Sequence, residues 1–237
     1  MRTLLTLLWW MIMVPLDALW AFPWTFTSGR VDALYNSAMW IAQVGLRIAG
    51  IRWKVVGFDQ LDLSRNYIFM SNHVSNLDPP LLIPLLPHRV TVMVKKELFK
   101  VPVFGKAMLM ADFVPIDRHN REAAIASVRE AEETVKRGLH MAVFPEGTRS
   151  RDGKLLPFKK GPFYLALEAG VSIVPITIVG TERLLPKGRV LAKPGEATVI
   201  FHPPVDPRVY PERDELISVV RNAIGSALPV ERRGESA

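Results

Sequence analysis

From Ile51 onward, short apolar runs of strand length alternate with longer stretches of helical period, and this alternation restricts the fold more than any other feature. The runs IRWKVVG, NYIFM, RVTVMV, FVPI, HMAVF, SIVPITIV, RVLA and ATVIFH read as strands. Between them, NREAAIASVREAEETVKRG places Ala124, Ile125, Val128 and Val135 at helical spacing, with Asn120 as N-cap and Gly138 as stop. GPFYLALEAG is a second helix, with Pro162 in its first turn and Gly170 after its end. PERDELISVVRNAIGSAL is a third, with Leu216, Val219, Val220 and Ile224 on one face. Such alternation calls for an α/β layer structure: a mixed, largely parallel central sheet flanked by helices. Residues 51–230 form this domain, and residues 231–237 are expected to be a flexible tail.

Residues 1–50 differ in kind. Arg2 is followed by fourteen uncharged residues, Thr3 to Leu16, before Asp17. A full membrane span needs about 20 apolar residues, so Pro15 and Asp17 are expected to interrupt the run too early for a clean crossing. A second apolar segment, Tyr35 to Gly50, carries Trp40, Ile41, Val44, Leu46 and Ile48. Five of the six tryptophans lie before residue 41, and tryptophan is enriched at the membrane–water boundary. The reading is a pair of membrane-associating helices embedded in one leaflet. A spanning anchor, a signal peptide and an ordinary core helix are the competing readings. Cleavage after Ala21 would put Leu19 where a small residue belongs.

The chain has no cysteine, which excludes disulfides, Cys-ligated metal and a thiol nucleophile. Its net charge of +7 favours anionic partners, whether acidic lipid, an acidic carrier protein or nucleic acid. Aromatic residues are not interleaved with the basic ones, which argues against nucleic acid. His88, His119, His140 and His202 show no metal-ligand spacing, so no metal site is expected.

In SNHVSNLDPP, residues 71–80, a histidine and an aspartate stand five positions apart. Imidazole suits proton transfer near neutral pH, and a carboxylate on its second nitrogen fixes the tautomer. On a continuous helix, residues five apart diverge by about 140°. His73 and Asp78 therefore meet only if the backbone between them is irregular, and Asn72, Ser75 and Asn76 are turn formers. Asp78 before Pro79 also reads as a helix N-cap, and Pro79 disfavours helical dihedrals at Asp78. The two roles are compatible, because a carboxylate has several acceptor sites.

A second constellation lies in HMAVFPEGTRSRDGKLLPFKKGPF. The run HMAVF leads into Glu146, Gly147, Thr148 and Arg149, then into a loop with Arg151, Lys154, Lys159 and Lys160. Arg149 offers a planar fork for phosphate oxygens, Thr148 a hydroxyl, and Gly147 close backbone approach. A solvated basic loop after a Pro-Glu-Gly turn is the plain alternative.

NHVSNLD has the N-H-x4-D pattern, FPEGTRS follows, and FVPIDR and IVPITIVG flank the latter. Together with VKKELFKVPVFG, these blocks resemble in sequence and order those of the glycerolipid acyltransferases. They are most similar to those of the bacterial 1-acyl-glycerol-3-phosphate acyltransferases. The resemblance covers about Tyr67 to Gly180 and departs from the family at Pro115 and Pro162. It implies that His73 is the general base for the sn-2 hydroxyl of lysophosphatidic acid and that Asp78 orients it. It implies further that Arg149 and Lys95 bind the acceptor phosphate, that Glu146, Gly147 and Thr148 complete that site, and that Arg118 supports it. The acyl donor would be acyl-CoA or an acyl carrier protein thioester, attacked directly by the hydroxyl with no cofactor. The enzyme would act in phospholipid biosynthesis at the cytoplasmic face of the inner membrane, on an anionic surface. Another lyso-lipid or glycerol-3-phosphate as acceptor is a second reading, and a non-catalytic protein binding anionic lipid is a third.

Overall fold

The computed structural model describes residues 2–117, 120–210 and 212–234. The chain opens with helix α1, Arg2–Ser28, and helix α2, Asp32–Ile48, which pack as a hairpin. Contrary to the expected break, α1 runs through Pro15, Asp17 and Pro23 without interruption. A proline inside a helix removes one backbone donor, and packing against α2 holds the helix in spite of that loss. Thr25, Thr27 and Ser28 donate hydroxyl hydrogen bonds to the carbonyls four residues earlier. Trp9 donates its indole N–H to the Ile41 carbonyl at 3.0 Å, and its ring lies 5.6 Å from that of Trp40. At 27 residues α1 is long and apolar enough to cross a membrane, which fits membrane association.

Strands and helices then alternate: β1 (Ile51–Val56), β2 (Ile68–Ser71), α3 (Asp78–Leu82), β3 (Val90–Lys95), α4 (Phe104–Met110), β4 (Val114–Ile116) and α5 (Arg121–Lys136). There follow β5 (His140–Val143), α6 (Gly161–Ala169), β6 (Ile173–Val179), α7 (Thr181–Leu184), β7 (Gly195–Phe201) and α8 (Arg213–Ser226). The seven strands form one sheet in the order β1-β7-β6-β2-β5-β3-β4. Strands β6, β2, β5, β3 and β4 run parallel, whereas β7 is antiparallel to β6 and carries β1 beside it. The sheet is thus mixed and largely parallel, as the alternation requires. Helices cover both faces. Tyr35 and Leu46 of α2 join Leu81 of α3, Ala111 and sheet residues such as Phe69 and Ile176 in one core cluster. Ala131 and Val135 of α5, Phe163 of α6 and Leu216 of α8 form the other, around Ile68, Met70 and Met141.

The local signals explain most boundaries. Asn120 accepts the Ala123 N–H in its side chain at 3.1 Å, capping α5, and Gly170 ends α6 at φ 63. RVLA, expected as a strand, is an exposed connection. Arg189 N–H closes a turn on the Pro186 carbonyl, and Val190 is open to solvent. Nor are residues 231–234 loose. Arg232 donates to Glu182 at 2.5 Å and its carbonyl accepts the Leu155 N–H, while Arg221 of α8 donates to the Arg233 carbonyl. Residues 235–237 lie outside the described residues.

Candidate active site

The five parallel strands all end at one edge of the sheet, where open α/β folds place ligands. Strand β2 delivers His73 there. Its exit is fixed by Asn72, whose side-chain amide brackets Ile178 of β6, donating to the carbonyl at 2.9 Å and accepting the N–H at 2.7 Å. That pairing takes the place of strand hydrogen bonds, so residues 72–75 leave the sheet in an irregular path. The path brings His73 Nδ1 to 2.9 Å from Asp78 Oδ2.

Asp78 is wholly buried and accepts four hydrogen bonds. Oδ2 takes His73 Nδ1–H and the backbone N–H groups of Val74 and Ser75, each of the latter at 2.7 Å. Oδ1 takes the Thr181 hydroxyl at 2.6 Å. The other three partners are all donors to this carboxylate, and an oxygen that accepts from its whole surround assigns the Nδ1–H tautomer to His73, leaving the Nε2 lone pair as the basic position. No hydrogen bond to Nε2 occurs among the described residues. The imidazole stacks on Phe144 at 4.2 Å and is 13% exposed, so one edge is open while the ring face is held.

The expected capping role of Asp78 is not seen. Residue 78 begins α3, but its carboxylate points back along the chain. Pro79 and Pro80 offer no N–H to cap, and Leu81 N–H goes to the Leu77 carbonyl. The irregular stretch lies before Asp78, not at it.

Strand β5 delivers the second constellation, and its carboxylate behaves differently from what the sequence suggests. Glu146, 2% exposed, accepts the His73 backbone N–H on Oε1 at 2.6 Å and the Leu156 N–H on Oε2 at 2.9 Å. It thereby ties the loop after β5 to the loop after β2. Burial pushes its pKa up to about 7, aided by the nearby Asp78 charge and opposed by the two N–H donors and by Arg221. The His73 carbonyl accepts Ser150 N–H at 2.9 Å, so the peptide on either side of His73 is clamped by residues 146–150.

Gly147 turns the chain at φ 70, a region glycine enters freely, and Thr148 is exposed. Arg149 is half-buried, and its carbonyl accepts a hydrogen bond from Lys187 Nζ at 2.5 Å. The pKa of Lys187 is lowered, by burial and then by the charges of Arg151 and Arg149. Arg149 and Arg151, beside the His73 clamp, and Lys187 from beyond α7 thus bring three cations together, an arrangement suited to an anion. Lys95 ends β3 at the same edge and lies 3.6 Å from Glu97. Arg118 lies outside the described residues.

Sequence reasoning did not single out Thr181 or Lys187. Thr181 follows Gly180, which turns at φ 102 after β6, and a polar residue just past a parallel strand was the available signal. Replacing Thr181 by valine should cost about 1–3 kcal/mol, since the buried Asp78 Oδ1 loses its donor. Turnover should fall with it, and serine should restore both; denaturant unfolding and initial rates would show this.

The site can remove a proton at Nε2, stabilise the imidazolium through Asp78 and hold an anion nearby. The chain is also similar, in sequence and in fold, to known proteins. The Acyltransferase family model matches residues 52–179. The 1-acyl-sn-glycerol-3-phosphate acyltransferase of Limnanthes douglasii is 34% identical over 228 residues, covering 95% of this chain and 78% of that protein. A protein of the same name from Borreliella burgdorferi is 28% identical over 184 residues, covering 77% and 74%. The solved structure of the 1-acyl-sn-glycerophosphate (LPA) acyltransferase PlsC from Thermotoga maritima is similar throughout. Its TM-score is 0.78 at 30% identity, covering 94% of this chain and 95% of that one.

Proposed function

The chain belongs to the Acyltransferase family, and from that premise we propose that it acylates the sn-2 hydroxyl of 1-acyl-glycerol-3-phosphate, using a thioester donor and giving phosphatidic acid. The observation that carries this reading is His73, held by Asp78 in the tautomer that leaves Nε2 basic, with its own peptide clamped to the Arg149 loop. Nε2 takes the hydroxyl proton as the oxygen attacks the thioester carbonyl. The new C–O bond forms, the C–S bond breaks, and the imidazolium returns the proton to the departing sulfur. Asp78 stabilises the imidazolium between these events. The step calls on no cofactor, and no thiol or serine nucleophile is placed in it. Acyl-CoA and an acyl carrier protein both fit as donors. The apolar α1 supports a reaction at a membrane surface, which we assign to the cytoplasmic face.

Arg149, with Lys187 and Lys95, is assigned to the acceptor phosphate. A charge-assisted hydrogen bond of this kind contributes about 1.5–3 kcal/mol. Arg149→Ala should therefore raise KM for lysophosphatidic acid about 10- to 100-fold and leave an acceptor without a phosphate unaffected. The test is one assay of purified protein across donors and acceptors, following both thioester cleavage and lipid product. Equal loss on both acceptors would remove the phosphate assignment. Product formed only from a different lyso-lipid or from glycerol-3-phosphate would replace the acceptor, and no thioester turnover at all would leave a lipid-binding protein.

A further inference from the structure

Between β3 and α4 the chain makes a short protrusion whose composition runs against its exposure. Five consecutive residues, Lys100 to Phe104, are exposed, and four of them are apolar. Phe104 keeps 49% of its surface open, and Leu98, Val101 and Val103 are comparable. A contiguous exposed apolar patch marks a contact surface.

The protrusion is built, not slack. Val101 N–H bonds the Leu98 carbonyl, and Phe104 N–H bonds the Pro102 carbonyl at 2.7 Å, closing a γ-turn about Val103. Val103 stands at φ 66, a costly conformation for a β-branched residue. Gly105 packs so tightly that a Cβ there would lie 2.0 Å from the Phe99 carbonyl oxygen. The fold therefore tolerates strain to hold these side chains outward. Lys100 and Lys106 flank the tip, both exposed, and neither has an acidic partner among the described residues.

Its position gives the patch meaning. Strand β3 ends at the same edge of the sheet as β2. Strand β1 runs the other way, so its first residue, Ile51, also lies at that edge. The start of α1 is there too: a Cβ on Gly50 would lie 2.3 Å from the Arg2 guanidinium. Near that end, Leu5, Leu8, Trp9, Ile12, Met13 and Ile48 line an apolar crevice of about 320 Å³. In the order β1-β7-β6-β2-β5-β3-β4, His73 at the end of β2 falls between α1 on one side and the protrusion on the other. Two strand spacings, about 10 Å, separate β2 from β3.

We propose that this protrusion is a second bilayer contact, whose apolar tip enters the interface of a membrane bearing anionic lipid while Lys100 and Lys106 meet the headgroups. The occupant is lipid because the patch lies at the same edge of the sheet as the apolar start of α1, and because its uncompensated charges are positive. With α1 and the protrusion both engaged, the sheet edge carrying His73 is held against the lipid from two sides. The proposal goes beyond the acyl-transfer reading, and its test needs no turnover.

The sequence has no cysteine, so a single Phe104→Cys, or Val101→Cys should the first misfold, can carry an environment-sensitive fluorophore in the full chain. Ala126→Cys, exposed on α5 across the sheet, is the control. On vesicles of phosphatidylcholine with phosphatidylglycerol, the label at 104 should shift to the blue and be quenched by lipid-borne quenchers at shallow depth. The label at 126 should do neither. The shift at 104 should shrink on pure phosphatidylcholine and in the Lys100→Ala, Lys106→Ala background. A label at 104 that stays as wet as the one at 126, on vesicles that have captured the protein, would overturn the proposal. So would a label at 104 that responds only to an acidic acyl carrier protein in solution.

Discussion

A His73→Ala protein should fold as the wild type does and turn over about 10²- to 10⁴-fold more slowly, the range lost with a general base. The fold should survive because alanine keeps the backbone atoms through which residue 73 is clamped. Its N–H still reaches Glu146, and its carbonyl still takes the Ser150 N–H. Asp78 also keeps three of its four donors, Val74 N–H, Ser75 N–H and the Thr181 hydroxyl, so no buried carboxylate is stranded. What disappears is the imidazole over Phe144 and with it the proton acceptor. The loss should fall on kcat, with KM for the acceptor little changed, because the Arg149 loop is tied to the main chain at residue 73 and not to its ring. Steady-state kinetics beside an unfolding curve would separate the two. A loss of less than about tenfold in a folded protein would place the base elsewhere.

The histidine and aspartate were legible because geometry forbids their meeting on a helix, and the turn formers between them say that no helix is there. The prolines at 79 and 80 were harder to interpret. They suggest a cap, yet by lacking N–H groups they leave Asp78 nothing in front to cap, and its oxygens turn to His73, Val74, Ser75 and Thr181 instead. Glu146 was visible as a residue but not as a clamp. Its partners are backbone N–H groups of His73 and Leu156, which every residue but proline carries, so no letter in the sequence announces them. Thr181 and Lys187 reach the site from beyond β6, at sequence distances of 103 and 38 from the groups they touch. The sheet itself followed from alternation. RVLA failed because apolarity over four residues does not distinguish a strand from a loop. Helix α1 outran its prolines because packing on α2 overrides a local penalty.

The second large effect should come from Glu146, and it should depend on pH. Burial raises its pKa from 4.5 to about 7 in the folded chain. Between those values the folded protein holds a proton that the unfolded chain has released. The contribution of this group to stability is therefore complete below about pH 4.5 and is lost as pH rises through 7, a decline of about 3 kcal/mol. A glutamine at 146 cannot titrate, and its NH₂ must face one of the two N–H groups that the carboxyl now accepts. Glu146→Gln should cost about 1–3 kcal/mol at low pH. The gap to wild type should then narrow by about 3 kcal/mol as pH climbs past 7, because only the wild type continues to lose stability. Glu146→Ala should be worse at every pH, leaving both N–H groups buried and unpaired at about 1–3 kcal/mol each. One of those groups belongs to His73, so its turnover should fall as well. Denaturant unfolding of the three proteins across this pH range gives difference curves in which titrating groups not coupled to Glu146 cancel. Parallel curves for wild type and Glu146→Gln would mean that Glu146 ionises normally, and that its place between His73 and Leu156 is wetter than its burial implies.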